Sequence, residues 1–296
     1  MKSFNRAMVA LDLSNMDRQL LEYLAALGPL LGIRKVYLLH AIPDFSMPKN
    51  VDVEFHKLFN PEYPIDEKIR NKIELDVREL FDRVPGIEFA IEVVEGKPYE
   101  KLLHWVDVKE IDLLVVGHKE VSEGSGITPR RVARKAECHV LFVPPDSPRR
   151  LRRIVVPIDF SDNSLRALEM AHAIKRAQPE IAVQCVYVVD MPPADYYIRP
   201  FDNTGYRRLL LDSARNAYQQ FLKENGIDPD QLLEAEFIPN EFSNVAAHLG
   251  EYVRQQAVDL VIIGAQGHSA FEHFIFGSVT ERFVERNKSQ PVLVMR

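Results

Sequence analysis

The chain repeats itself. FNRAMVALDLSNMDRQLLEYLAAL, near the start, returns as LRRIVVPIDFSDNSLRALEMAHAI after the proline-rich stretch VPPDSPRRL, so that Asp12 recurs as Asp159, 147 positions on. The same interval pairs VYLLHAI with CVYVVDM (His40 with Tyr187), Asp112 with Asp259 and Gly117 with Gly264. An interval held constant over so long a stretch preserves the lengths of elements and loops, and predicts one fold built twice. Near the ends it widens to 152, where HVLFVP (from His139) faces PVLVMR (from Pro291), so the first copy has lost five residues just after Gly117. A chain of 296 residues suits two domains, expected at 1–146 and 151–296.

Within each copy, short runs rich in Val, Ile and Leu alternate with amphipathic stretches. In the second copy the runs predict strands at 153–157, 182–188, 233–238, 260–263 and 291–295. Leu165, Leu168, Ala171 and Ile174 recur at helical spacing behind the N-cap oxygens of Ser161 and Asp162. Further helices are expected over 207–225, stopped by Gly226, and over 244–256. Strands joined through helices give a parallel sheet with right-handed crossovers and helices on both faces, here twice. The segments after the second strand of each copy, IPDFSMPKNVDVEFHKLFNPEYPID and MPPADYYIRPFDNTG, are long and rich in Pro and aromatics, and read as lids or partner surfaces.

Composition narrows the partners. The net charge of −6 argues against nucleic acid or an anionic membrane surface, and no window holds the roughly 18 uninterrupted apolar residues of a membrane helix. Cys138 and Cys185 are too few for a disulfide framework or a four-cysteine zinc site. The apolar stretch of MKSFNRAMVALDLS is short and interrupted by Asp12, a poor signal peptide, so a cytoplasmic location is expected. The run from His268 to His273 misses the spacings H-E-x-x-H and H-x-x-E-H, and no metal site is expected there. The arginine clusters at 130–135 and 149–153 are short and read as solvated faces and a linker.

The chemistry concentrates after the fourth strand of the second copy. Gly264, Gly267 and the pair Gly277-Ser278 give the spacing G-x2-G-x9-G-S, the last pair directly before an amphipathic helix. Glycines let backbone N–H groups converge on an anion. A helix starting at Ser278, Val279 and Thr280 adds unsatisfied N–H donors and the positive end of its dipole, so phosphate is the natural occupant. Asp159 ends the first strand at the carboxyl edge of the sheet, where open α/β folds bind ligands. Its carboxylate suits ribose hydroxyls or an adenine amino group. The bland alternatives are that Gly264 merely turns the chain, that Ser278 caps a helix, and that Asp159 caps the helix beginning near Asn163.

The combination V-P-I-D-F-S, then Y-V-V-D, then G-A-Q-G with nine residues before G-S-V-T resembles the ATP-binding branch of the universal stress proteins, and the resemblance covers nearly all of both copies. It implies two tandem Rossmann-like α/β domains, each a five-stranded parallel sheet in the order 3-2-1-4-5. The ends of strands one and four then lie side by side at the switch point of the topology. It further implies that Pro157 and Asp159 line an adenosine pocket and that Val188 meets adenine through its backbone. Ile263, Gly264, Gly267, Gly277, Ser278 and Val279 would enclose ribose and phosphates. His268 stands where binders often carry Lys or Arg, and is a pH-dependent cation. The implied ligand is ATP, with Mg2+ as its companion.

The first copy departs from this pattern. In GHKEVSEGSGITPRRVARK, Gly117 remains, but Glu120 replaces the second glycine, and Glu120 and Glu123 would repel phosphate. Thr128 and Pro129 read as a helix N-cap and first turn, and Ala10 replaces the equivalent of Pro157. The first domain is therefore expected to be a degenerate copy kept for architecture or partner binding. The leading expectation is a stress-response protein that binds ATP in its second domain as a regulatory or signalling ligand. A slow ATP hydrolase or nucleotide-transforming enzyme is one alternative, and a scaffold without nucleotide is another. The family's habit of pairing last strands implies that VLFVP and PVLVM pair the two halves within one chain, which leaves homodimerisation to other surfaces.

Overall fold

A parallel strand covered on both faces must be apolar along its whole length, and that requirement fixes the centre of each half of this protein. The computed structural model describes residues 4–42, 65–81, 84, 86–119, 134–191, 203–240, 244–267 and 276–296. The two long segments after the second strands, and the stretch holding Glu120, Glu123, Thr128 and Pro129, lie largely or wholly outside these residues, as does His268. The chain divides into two units, Met1–Arg149 and Arg150–Arg296.

In the first unit, β1 (Arg6–Leu11), α1 (Asn15–Leu31), β2 (Lys35–Ile42), α2 (Ile65–Phe81), β3 (Glu88–Glu95), α3 (Pro98–Val108), β4 (Leu113–Gly117) and β5 (His139–Val143) follow in turn. The second unit runs β6 (Arg153–Pro157), α4 (Asp162–Ala177), β7 (Ala182–Asp190), α5 (Asn203–Glu224), β8 (Leu233–Asn240), α6 (Val245–Gln255), β9 (Leu260–Gly264), α7 (Ser278–Arg286) and β10 (Val292–Met295). The sheet orders are β3-β2-β1-β4-β5 and β8-β7-β6-β9-β10, so each unit has the order 3-2-1-4-5. The strand pairs within each unit are parallel. Strands one and four of the second unit pair directly, with Ile154 opposite Leu260 and Val155 opposite Val261. These central residues are fully buried, whereas β8, at the end of the strand order, is exposed at Leu233, Glu234 and Glu236 and becomes buried at Asn240.

Local sequence explains where the elements begin and end. Ser161 caps α4 by accepting the Ser164 amide at 3.2 Å, and Ala167, Leu168, Ala171 and Ile174 bury its inner stripe. Lys175 and Arg176 face the negative end of the helix dipole. Helix α5 starts four residues earlier than the pattern predicts, because its first turn contains Gly205, a poor helix former that hides the start. Gly226 lies just past its end at φ 63°, a conformation other residues rarely adopt.

The repeat is carried in backbone detail. Leu13 and Phe160, each the residue after the recurring aspartate, both sit at left-handed φ, 62° and 64°. Glu110 and Ala257 do the same before strand four, at 50° and 46°. The second recurring aspartate is structural: Asp112 accepts the Arg6 amide at 2.9 Å, and Asp259 accepts those of Arg152 and Arg153 at 2.7 and 2.9 Å. The Arg6 and Arg153 guanidinium groups each donate to the carbonyl before that turn, of Lys109 and Gln256. Both aspartates thus tie the entrance of strand four to that of strand one. Asp259→Ala leaves two backbone donors without this acceptor and should cost about 2 kcal/mol in urea denaturation monitored on the second unit. An unchanged midpoint would contradict this role.

Candidate functional site

The carboxyl ends of β6 and β9 open into a cleft of about 320 Å3 in the second unit, within the usual range for a small-molecule site. Of the residues predicted from sequence, Pro157, Asp159 and Val188 come from the ends of β6 and β7. Ile263, Gly264 and Gly267 come from the end of β9 and its loop, and Gly277, Ser278 and Val279 from the start of α7. All nine line this one cleft, while His268 lies outside the described residues. A larger cavity, about 430 Å3, lies between α5 and edge strand β8 near Arg215 and Phe237, and none of the predicted residues lines it.

Sequence reasoning misses part of the wall. Val245 and Leu249, four apart on α6, line the cleft as an apolar pair that reads in the sequence as ordinary core. Gln266 lines it as well, and so does Thr280, which the sequence singles out only for its backbone N–H. The Thr280 hydroxyl donates to the Gly264 carbonyl at 2.7 Å and so ties the first turn of α7 to the end of β9. The spacing G-S-V-T is the one signal in the sequence that points to it.

The three glycines have different physical reasons. A Cβ on Gly264 would stand 2.8 Å from the Asn163 carbonyl carbon and 2.9 Å from the Ser164 nitrogen, so glycine is required for α4 to approach β9. A Cβ on Gly267 would run into Oδ2 of Asp159, so glycine there makes room for the carboxylate. At Gly277 a Cβ meets nothing closer than 3.4 Å, and φ −68°, ψ 153° is open to any residue. Gly264 therefore serves the packing of α4 against β9, where the alternative drawn from sequence had it only turn the chain.

Asp159 is partly engaged. Its Oδ1 accepts from the Ser161 amide at 3.1 Å and hydroxyl at 2.6 Å. Ser161, not Asp159, caps α4, and Oδ2 is the oxygen turned towards Gly267. Tyr187 lines the same wall and packs on Phe160 with ring centroids 4.7 Å apart. Burial, and then the carboxylates of Asp190 and Asp159, push its phenol pKa up, so it stays neutral at physiological pH. Asp190 is held at 2.6 Å by the amide of buried Asn240.

The start of α7 differs from the other helix starts around it. Ser161 caps α4 and Asn244 caps α6 through side-chain oxygens, but α7 begins after Gly277 with no side-chain cap. Ser278 is the first helical residue, not the cap. The positive end of α7 and the Asp159 carboxylate therefore face one space, arranged for a molecule carrying both an anion and hydroxyl or amino donors.

The corresponding place in the first unit is built differently. Lys119, at the position of Gln266, places Nζ 2.8 Å from Oδ2 of Asp12 and 2.5 Å from the Ser14 hydroxyl. Burial works against ionisation of Asp12, but hydrogen bonds from Lys119 and Ser14, with the lysine's charge, outweigh it and hold the pKa below its ordinary value. Asp17, on the first turn of α1, accepts the amides of Asp12 and Leu13 at 3.0 and 2.7 Å. Burial pushes its carboxyl up to about 7; the Asp12 charge adds to this and the two amides oppose it.

Two outcomes follow from this geometry. Gly264→Ala should destabilise the second unit by about 1 to 3 kcal/mol, since the clash is with backbone, while Gly267→Ala should fold normally with Asp159 displaced; equal melting temperatures for the two would refute the distinction. Because the Asp17 pKa is raised on folding, its contribution is full below about pH 4 and is lost as pH rises towards 7. Amide protection in α1 should fall over that window and flatten in Asp17→Asn, and a profile shared by both proteins would exclude the assignment.

The chain's similarities agree with this architecture. The sequence profile described as the universal stress protein family matches residues 3–144 and again 150–296. A universal stress protein of Methanocaldococcus jannaschii is 28% identical over 148 residues, 49% of this chain and 82% of that one. Among solved structures, a universal stress protein from Archaeoglobus fulgidus superposes with a TM-score of 0.65 at 16% identity, covering 99% of this chain and 97% of that one. A protein of unknown function from Pseudomonas aeruginosa gives 0.66 at 12% identity, over 99% and 92%. At those identities the solved structures speak for the fold alone. The repeat, the strand order and the matched profile together mean that the chain belongs to the universal stress protein family, with one family domain in each half.

Proposed function

We propose that the second unit binds an adenine nucleotide, ATP, as the regulatory ligand of a cytoplasmic stress-response protein. The observation that carries this reading is the uncapped start of α7, which opens into the same cleft as Asp159. The N–H groups of Ser278, Val279 and Thr280 supply donors for phosphate oxygens, and the Ser278 hydroxyl adds another. Asp159 accepts from the ribose hydroxyls. Val188 offers its backbone to the base, with Tyr187, Val245 and Leu249 as the apolar wall beside it. Bound Mg2+ would neutralise phosphate charge and take oxygen ligands, for which the Ser278 hydroxyl is the suitable side chain at the start of α7.

Mass spectrometry of the denatured, freshly purified protein should release adenine nucleotide, and calorimetric titration should give one ATP per chain. Two comparable sites, or none, would overturn the reading. A sharper test is Gly277→Asp. The backbone at 277 suits any residue and a Cβ fits, and aspartate is a better N-cap than glycine by a few tenths of a kcal/mol. The variant should therefore fold with equal or slightly higher stability, yet lose ATP binding about a hundredfold or more, because its carboxylate takes the amides that phosphate needs and repels the phosphate itself. Unchanged affinity in the folded variant would remove the start of α7 from the site.

A further inference from the structure

The carboxyl ends of strands one and four carry different electrostatic settings in the two units. In the first, the Lys119 ammonium reaches back to both Asp12 and Ser14, and its side chain is only 9% exposed, so it fills the space beside the carboxylate rather than reaching into solvent. In the second, the equivalents of Asp12 and Ser14 are Asp159 and Ser161, and there the serine hydroxyl donates to the aspartate directly, at 2.6 Å. The residue equivalent to Lys119 is the neutral Gln266, whose backbone carbonyl accepts from Ser161 and Asn163 at 3.3 and 3.2 Å. Among the described residues, no lysine, arginine or histidine forms an ion pair with Asp159.

We propose that the residue at positions 119 and 266 selects which crevice admits a ligand: Lys119 is a built-in occupant that satisfies Asp12 and holds the first crevice shut, and Gln266 leaves Asp159 available to a nucleoside. A ligand hydroxyl approaching Asp12 must replace the Lys119 ammonium, which forms an ion pair with the carboxylate, by an uncharged donor, and that is a losing exchange. At Asp159 no ammonium or guanidinium of the described residues has to be displaced. This selection operates at the nucleoside end of the crevice, separately from the loss of the phosphate loop, and it rests on the nucleotide reading only for the identity of the probe.

The test uses adenosine, which asks nothing of a phosphate loop and offers no anion to an introduced lysine. On the full chain, wild type should give one binding event by calorimetry. Gln266→Lys should weaken it at least tenfold, equivalent to about 1.4 kcal/mol, and Lys119→Gln should add a second event. Unchanged or tighter binding in Gln266→Lys, or no second event in Lys119→Gln, would overturn the proposal. A second readout needs no nucleotide: in carbon-detected NMR the Asp12 carboxyl should titrate below its ordinary range in wild type and move upward in Lys119→Gln. Should wild type take up no adenosine, the proposed selection is overturned, whereas the nucleotide reading stands or falls by the ATP titration, and the Asp12 midpoint then reports only whether the ion pair with Lys119 exists in solution.

Discussion

Everything in the second unit's cleft depends on one close approach, the N-terminus of α4 against the end of β9 at Gly264. With no Cβ between them, the Asn163 and Ser164 backbone lies within about 3 Å of where a side chain would begin. That proximity lets Ser161 and Asn163 bond the Gln266 carbonyl, which holds the start of the loop leaving β9, Ala265 to Gly267. The same loop is tied to the start of α7 through Gly277 and Ala265 at 2.7 Å and through Thr280 and Gly264 at 2.7 Å. The carboxylate side and the amide side of the cleft are therefore positioned by one backbone junction.

The repeated aspartates separate scaffold from site. Asp112 and Asp259 perform the same task in both units, closing the entrances of strands one and four, and nothing about that task involves a ligand. Asp12 and Asp159 share a position and a left-handed neighbour, but their environments diverge: one is paired with an ammonium, the other with a serine hydroxyl and the backbone edge of Gly267. Duplication kept the fold because the sheet requires it. The residue beside the two aspartates differs, Lys119 in one unit and Gln266 in the other, while the strand order stays the same.

Much of this is legible in the order of residues. The interval of 147 locates equivalent elements, and the unbroken runs such as RIVVP and LVIIG mark strands buried on both faces. The strand-end and glycine motifs pick out nine residues that do share one cleft. Val245 and Leu249 are not separable from the core in this way, because a lining residue and a core residue are both apolar at helical spacing. Lys119 escapes for a similar reason: a surface lysine and a buried counter-ion read alike in one dimension. The start of α5 is hidden by Gly205, whose weak propensity is outweighed by the rest of a long amphipathic helix.

The sequence by itself determined the double α/β fold, its parallel sheets and the segments that meet at their carboxyl edges, because periodicity and repeat length report burial along the chain. Only the tertiary structure decided what each glycine is for, that Gly277 leaves α7 without a side-chain cap, and that Lys119 lies against Asp12. Those facts rest on distances between residues more than a hundred positions apart, or on the backbone angles of a single junction. A pattern of residue types carries neither.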